Sequence, residues 1–101
     1  MANRLDLQTK LVEMLGSSNV YYDPPESKKM NYDAIRYIKK DIESRYANDA
    51  AYSLLDCYEI TVIARTPDHP VIKELLRLPH CSYDRHYRSD NLYHDVLTLY
   101  Y

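Results

Sequence analysis

The chain has 101 residues, of which 28% are charged and 46% hydrophobic, and its net charge is −2. This length suits one domain with a thin core, and the proportions exclude a disordered chain. A faintly acidic balance also excludes a surface built for general binding to a phosphate backbone, which would be basic.

Leu7, Leu11 and Leu15, flanked by Leu5 and Val12, recur at helical spacing, so a first helix is predicted over Leu5–Leu15. Gly16, the only glycine, follows where a helix end favours a left-handed residue. Asn19–Asp23 predicts a short strand, which Pro24-Pro25 cannot continue, and Lys28 and Lys29 fall in an exposed loop. The stretch Tyr32–Lys39 is ambiguous. Ile35, Ile38, Ile42 and Tyr46 are spaced as on a helix, whereas Ile35 and Tyr37 between polar neighbours suit a strand; periodicity alone favours the helix. Tyr58, Ile60, Val62 and Ala64 alternate with Glu59, Thr61, Ile63 and Arg65, which predicts a strand with one core face. In "TPDHPVIKELLRLP" a second helix is expected, capped by Asp68, with Pro70 in its first turn and Pro79 as its stop. Val71, Ile72, Leu75, Leu76 and Leu78 form its apolar face, and Arg77 lies near the negative end of its dipole. "HCSYDRHYR" and "LYHDVLTLYY", separated by Ser89-Asp90-Asn91, predict a hairpin.

This order implies an α+β fold with two layers: a mostly antiparallel sheet of four to five strands and two helices packed on one face. A hairpin turning about Asp90 sets His86 opposite His94 and Arg85 opposite Asp95. Cys81, Tyr83, Leu97 and Leu99 then face the core. His86 and His94 face away, and Ser82, Asp84 and Arg88 join them on a polar, solvated or partner-facing surface. The last strand is held by pairing on one side, and its outer edge calls for a neighbour.

Residues with chemical capability do not assemble into a reaction. One glycine cannot cradle phosphates, the serines lack a nucleophile elbow, and no apolar-flanked carboxylate pair is present, so neither an enzyme nor a cofactor is expected. His80, Cys81, His86 and His94, with Asp84, are metal-ligand types whose spacing fits no metal motif, and no metal is expected. Charges interrupt the opening "MANRLDLQTKLVEMLG", and no later run is long enough to cross a bilayer. A cytosolic chain is therefore expected, with Cys57 and Cys81 as buried small hydrophobes rather than a disulfide. Twelve tyrosines accompany no phenylalanine or tryptophan. Tyrosine suits half-buried and interface positions, while codon bias with ordinary strand propensity gives the same composition; both readings stay open.

"VYYDPPESKKMNYDAIRY", "YEITVIARTPDHPV" and "LRLPHCSYDRHYRSDNLYHDVLTLYY" together resemble the tail terminator, or tail completion, proteins of long-tailed (siphovirus-type) bacteriophages. The resemblance covers most of Asn19–Tyr101 and is best at the end, where Asp-Arg-x-Tyr, Asp-Asn-Leu-x-His-Asp and a final apolar-Tyr strand occur together. It implies a virion protein of the tail and neck, assembled in the host cytoplasm. There a homohexameric ring would cap the head-proximal end of the tail tube, stop its growth and offer a surface for head joining. The implied partners are further copies of the chain, the tail tube protein and a head completion or stopper protein. Genome DNA would pass through without sequence-specific binding, and no membrane is involved. The alternative is a head–tail connector, a stopper or another small neck adaptor. In this family the segment matching Tyr32–Lys39 looks like a strand, often with proline where this chain has Asp33, and Asp41–Tyr52 becomes a long excursion of the kind used for contacts. Arg45 and Tyr46 are its expected anchors, because arginine and tyrosine dominate interface energetics. Tyr52, Lys28, Lys29, Tyr100 and Tyr101 complete the expected subunit or tube contacts.

Overall fold

The computed structural model describes residues 4–40 and 56–101. Helix α1 runs Arg4–Leu15, with Leu7 and Leu11 one turn apart and fully buried. Gly16 ends it at φ +76°, donating its N–H to the Val12 carbonyl at 2.9 Å, a backbone position that costs an L side chain strain. Leu5 lies off the apolar stripe and is 65% exposed.

Strand β1 (Val20–Tyr22) runs parallel to β2 (Ala34–Lys40), with Val20 beside Ile35 and Tyr22 beside Tyr37. The ambiguous stretch is thus a strand. Helical spacing in it is coincidental: β2 is paired on both sides and buries Ala34 from one face and Ile35 and Tyr37 from the other, so it carries no clean polar alternation. Strand β3 (Cys57–Ala64) pairs antiparallel with β2 and with β5 (Leu92–Tyr100), and β5 pairs with β4 (Cys81–Ser89). The order across the sheet is β1-β2-β3-β5-β4. Helix α2 (Pro70–Leu76) stands between β3 and β4 in sequence.

Both helices pack on one face of this five-stranded, mostly antiparallel sheet, which gives the expected α+β class. Leu7 and Leu11 of α1 and Val71, Ile72 and Leu75 of α2 close over Ile35, Tyr37, Tyr58, Ile60, Val62, Leu97 and Leu99. Each fully buried leucine or isoleucine contributes about 1.5–3 kcal/mol of transfer free energy. Tyrosine serves as core here: the Tyr37 ring lies 5.0 Å from that of Tyr22 and 6.0 Å from that of Tyr58, and its hydroxyl donates to Gln8 Oε1 at 2.6 Å. Burial pushes the Tyr37 and Tyr58 phenols up from 10.0.

Three expectations change. The last strand is not an edge, because β4 folds back outside it, and its apolar residues Val96, Leu97 and Leu99 are buried within the chain. Leu76 is 39% exposed rather than part of the apolar face of α2. The cap of α2 is His69, not Asp68, which takes a left-handed φ of 59° one residue earlier. His69 Nδ1 accepts the Val71 N–H at 3.1 Å, and its Nε2 lies 3.5 Å from Asp33 Oδ2. Asp33 Oδ1 in turn accepts the Arg65 N–H at 2.9 Å, so one side-chain chain ties the start of β2, the end of β3 and α2 together. His69→Ala is expected to lower unfolding free energy by about 0.5–2 kcal/mol in urea titration, with His69→Asn, which keeps a cap acceptor, recovering most of it.

Candidate interaction surface

Two positive-φ residues, Asp90 (55°) and Asn91 (62°), make the tight turn between β4 and β5. A two-residue turn places Tyr87 opposite His94 and His86 opposite Asp95. The expected pairs, His86 with His94 and Arg85 with Asp95, are therefore displaced by one residue beside the turn. Farther along, a bulge at Asp84 shifts the ladder, and Tyr83–Leu97, Ser82–Thr98 and Cys81–Leu99 pair as a turn about Asp90 requires.

The bulge changes which side chains share a face. Cys81 and Tyr83 lie opposite Leu99 and Leu97 on the helix side, and so do His86 and Arg88, opposite Asp95 and Tyr93. Ser82 and Tyr87 lie on the side away from α1 and α2, opposite Thr98 and His94. His86 and His94 thus stand on opposite faces, and Ser82 does not share a face with His86 and Arg88. His94 does face away from the helices as expected, but it is buried, its ring stacked on Tyr87 at 4.6 Å with planes 16° apart. Tyr83 shares the core side without entering the core: it is 41% exposed, and its hydroxyl donates to Asp95 Oδ1 at 2.6 Å.

Among the described residues no strand pairs with the outer edge of β4, and every residue from Ser82 to Ser89 is exposed. Arginine and tyrosine, the types that dominate interfaces, are concentrated on it. Arg85 Nη1 meets Asp84 Oδ2 at 2.9 Å, and the Arg88 guanidinium lies 4.9 Å from the centre of the Tyr93 ring. Two clefts flank the hairpin, both bordered by Asp68, Tyr83 and Asp95: one of about 360 Å³ against the turn at Pro67 and Asp68, the other of about 660 Å³ against α2. The other edge is short and partly occupied. Strand β1 has three residues, Gln8 Nε2 donates to its Val20 carbonyl at 3.1 Å, and Pro24 and Pro25 follow it.

The described residues expected at the interface lie on two different segments. Lys28 and Lys29 are exposed in the loop between β1 and β2, with Lys28 Nζ 5.8 Å from the Tyr21 ring. Tyr100 and Tyr101 are half-buried at the end of β5. Tyr101 exchanges two backbone hydrogen bonds with Asp56, at 2.8 and 3.1 Å, and its ring packs against the core beneath Lys10. Arg45, Tyr46 and Tyr52, with the excursion Asp41–Tyr52, lie outside the described residues. Sequence reasoning saw a polar partner-facing strand in Ser82–Arg88 but missed Tyr83, Arg85 and Tyr87 as exposed parts of it; the lack of any apolar alternation over Ser82–Ser89 was the available signal.

Among the described residues no three His, Cys, Asp or Glu side chains gather as a metal site. Both cysteines are free thiols, Cys57 buried and Cys81 half-buried, and burial pushes both up from 9.0, away from thiolate reactivity. No helix among the described residues is long and apolar enough to cross a membrane. Comparison with protein-family models, curated proteins and solved structures returns no match.

Desolvation, the hydrogen bond to Asp95 and the negative charges of Asp95 and Asp68 push the Tyr83 phenol up to about 12. The bond needs a protonated phenol, so its contribution to stability is complete below the ordinary 10.0 and is lost as pH rises towards about 12. The ultraviolet phenolate titration of wild type minus Tyr83→Phe is expected to show one tyrosine titrating near 12, and the same difference in an Asp95→Asn background to return towards 10.0.

Proposed function

We propose that this chain is a structural protein of the neck of a long-tailed bacteriophage: a ring subunit that caps the head-proximal end of the tail tube, ends its growth and presents a surface for head joining. Its activity is binding, without catalysis or cofactor. The sequence resemblance over Asn19–Tyr101 supplies the identity of the assembly. The observation that carries the reading is the contrast between the two sheet edges, one nine residues long, open and rich in arginine and tyrosine, the other three residues long and partly occupied. An open edge strand is a template for pairing with another chain. Where such an edge meets a different surface of the next copy, the contact is heterologous and closes into a ring when the rotation permits.

A single open edge also favours a second reading, a head–tail stopper or small adaptor that docks once onto a ring made by another protein. A ring subunit needs two complementary surfaces, and among the described residues the sheet offers one.

Mixing the purified chain with polymerising tail tube protein and imaging the product by electron microscopy separates the two. The ring reading expects six-fold rings at one tube end and the loss of overlong tubes. Tubes of unchanged length with no bound chain contradict it and leave the stopper or adaptor reading.

A further inference from the structure

From the geometry of β4 we infer that the free chain pairs with a second copy of itself through this strand, antiparallel, about a two-fold axis between Asp84 and Arg85. The sheet becomes one of ten strands.

Tyr100 donates its N–H to the His80 carbonyl at 3.1 Å, so the even-numbered residues of β5 direct their hydrogen-bonding groups towards β4. Their partners Ser82, Arg85 and Tyr87 are thereby bonded inward. Cys81, Tyr83, His86 and Arg88 are left to direct theirs outward, and these four also carry the helix-side side chains. Without the bulge the outward residues would be evenly spaced by two. The extra residue Asp84 opens the middle interval to three, and the set 81, 83, 86, 88 becomes symmetric about the Asp84–Arg85 junction.

An antiparallel two-fold pairing sets residues opposite one another across the axis, and opposed residues must lie on the same face. Centred on the Asp84–Arg85 junction, the pairing sets Tyr83 opposite His86 of the second copy and Cys81 opposite its Arg88, all outward-bonding and on the helix side. Ser82 falls opposite Tyr87, both on the side away from α1 and α2. Moving the axis by half a residue, onto Asp84 or onto Arg85, breaks the match of faces along the strand. Ser82 would then oppose His86 or Arg88 across the sheet.

Charge selects the same register. Centred on Asp84, the pairing would oppose two aspartates; centred on Arg85, two arginines. On the junction, each Asp84 opposes an Arg85, twice over, while the ion pair within each copy (2.9 Å) already holds the two side chains side by side. Like charges directly opposite destabilise a strand pair, and opposite charges stabilise it. Strand β4 is thus self-complementary in hydrogen bonding, face and charge, and no other described strand has a free edge of comparable length.

The inference concerns the free chain and does not depend on the ring reading, since its test uses no tube protein. Light scattering after size exclusion measures the mass of the full chain across the micromolar to millimolar range, for wild type, Asp84→Arg and Arg85→Asp. The wild type is expected at twice the 12.0 kDa of one chain. Each reversal sets like charges opposite twice and should weaken the pair by about tenfold or more. An equal mixture of the two variants restores both Asp–Arg oppositions, one copy supplying two arginines and the other two aspartates, and is expected to return to the mass of a pair. Circular dichroism melts confirm that the variants fold, and the wild-type mass stands without them. A wild type that stays monomeric throughout overturns the inference. So do a dimer that survives both reversals and a mixture that stays monomeric.

Discussion

The pairing of β3 with β5 is the interaction on which the rest of this fold depends. It sets Ile60 against Leu97 and Tyr58 against Leu99, and these four, with Val62, make the apolar floor on which both helices lie. A slip of β5 by one residue would turn Leu97 and Leu99 away from α1 and α2 and put Thr98 beneath them. From this pair the sheet grows outward in unlike ways. On one flank β2 and the short β1 end beneath α1, where Gln8 bonds both Tyr37 and the Val20 carbonyl. On the other flank a tight turn adds β4, whose first residue, Cys81, packs against the core while Ser82–Ser89 are exposed.

That asymmetry explains where an interaction surface can be. Helices α1 and α2 cover the core side of β1, β2, β3 and β5, whereas on β4 Tyr83 lines a cleft beside α2, and His86 and Arg88 line one beside the turn at Pro67 and Asp68. The bulge at Asp84 then redistributes the side chains of the exposed strand. Bulges and charges commonly protect sheet edges against indiscriminate pairing. Here they restrict pairing to a partner whose own strand has the same interruption and the same charges, which a second copy has by definition. Specificity of this kind rests as much on the registers it penalises as on the one it favours.

Much of this was legible in the sequence because the local signals agreed with the tertiary outcome. The alternation in Tyr58–Ala64 gave a strand with Tyr58, Ile60 and Val62 beneath the helices, though Thr61 and Ile63 on its other face are buried as well; the leucine spacing of α1 gave a helix, and the single glycine marked its end. Strand β2 was harder, because its apolar residues Ala34, Ile35, Tyr37 and Ile38 fall on both faces without a polar alternation, and Ile35, Ile38 and Ile42 stand at helical spacing. Asp68 looked like a cap since aspartate is a better capping type than histidine. The backbone places it one residue too early, and His69, steadied by Asp33 from a different part of the chain, takes the role. The interaction surface was half legible. Its polarity was plain, but a bulge at a residue that is not glycine leaves no local mark, and one unnoticed residue moves His86 to the other face of the sheet. Tyrosine usage was ambiguous for a related reason: Tyr37 and Tyr58 serve the core while Tyr83 and Tyr87 stand on the open edge, and composition cannot separate the two.

The central claim is that the outer edge of β4 is made to be covered by another strand, and amide hydrogen exchange of the full chain, followed residue by residue at increasing protein concentration, tests it most directly. The account predicts that the N–H groups of Cys81, Tyr83, His86 and Arg88 exchange quickly in dilute solution and become protected together as concentration rises, while those of Ser82, Arg85 and Tyr87, bonded to β5, are protected throughout. Exchange at these four amides that stays fast and independent of concentration would contradict it.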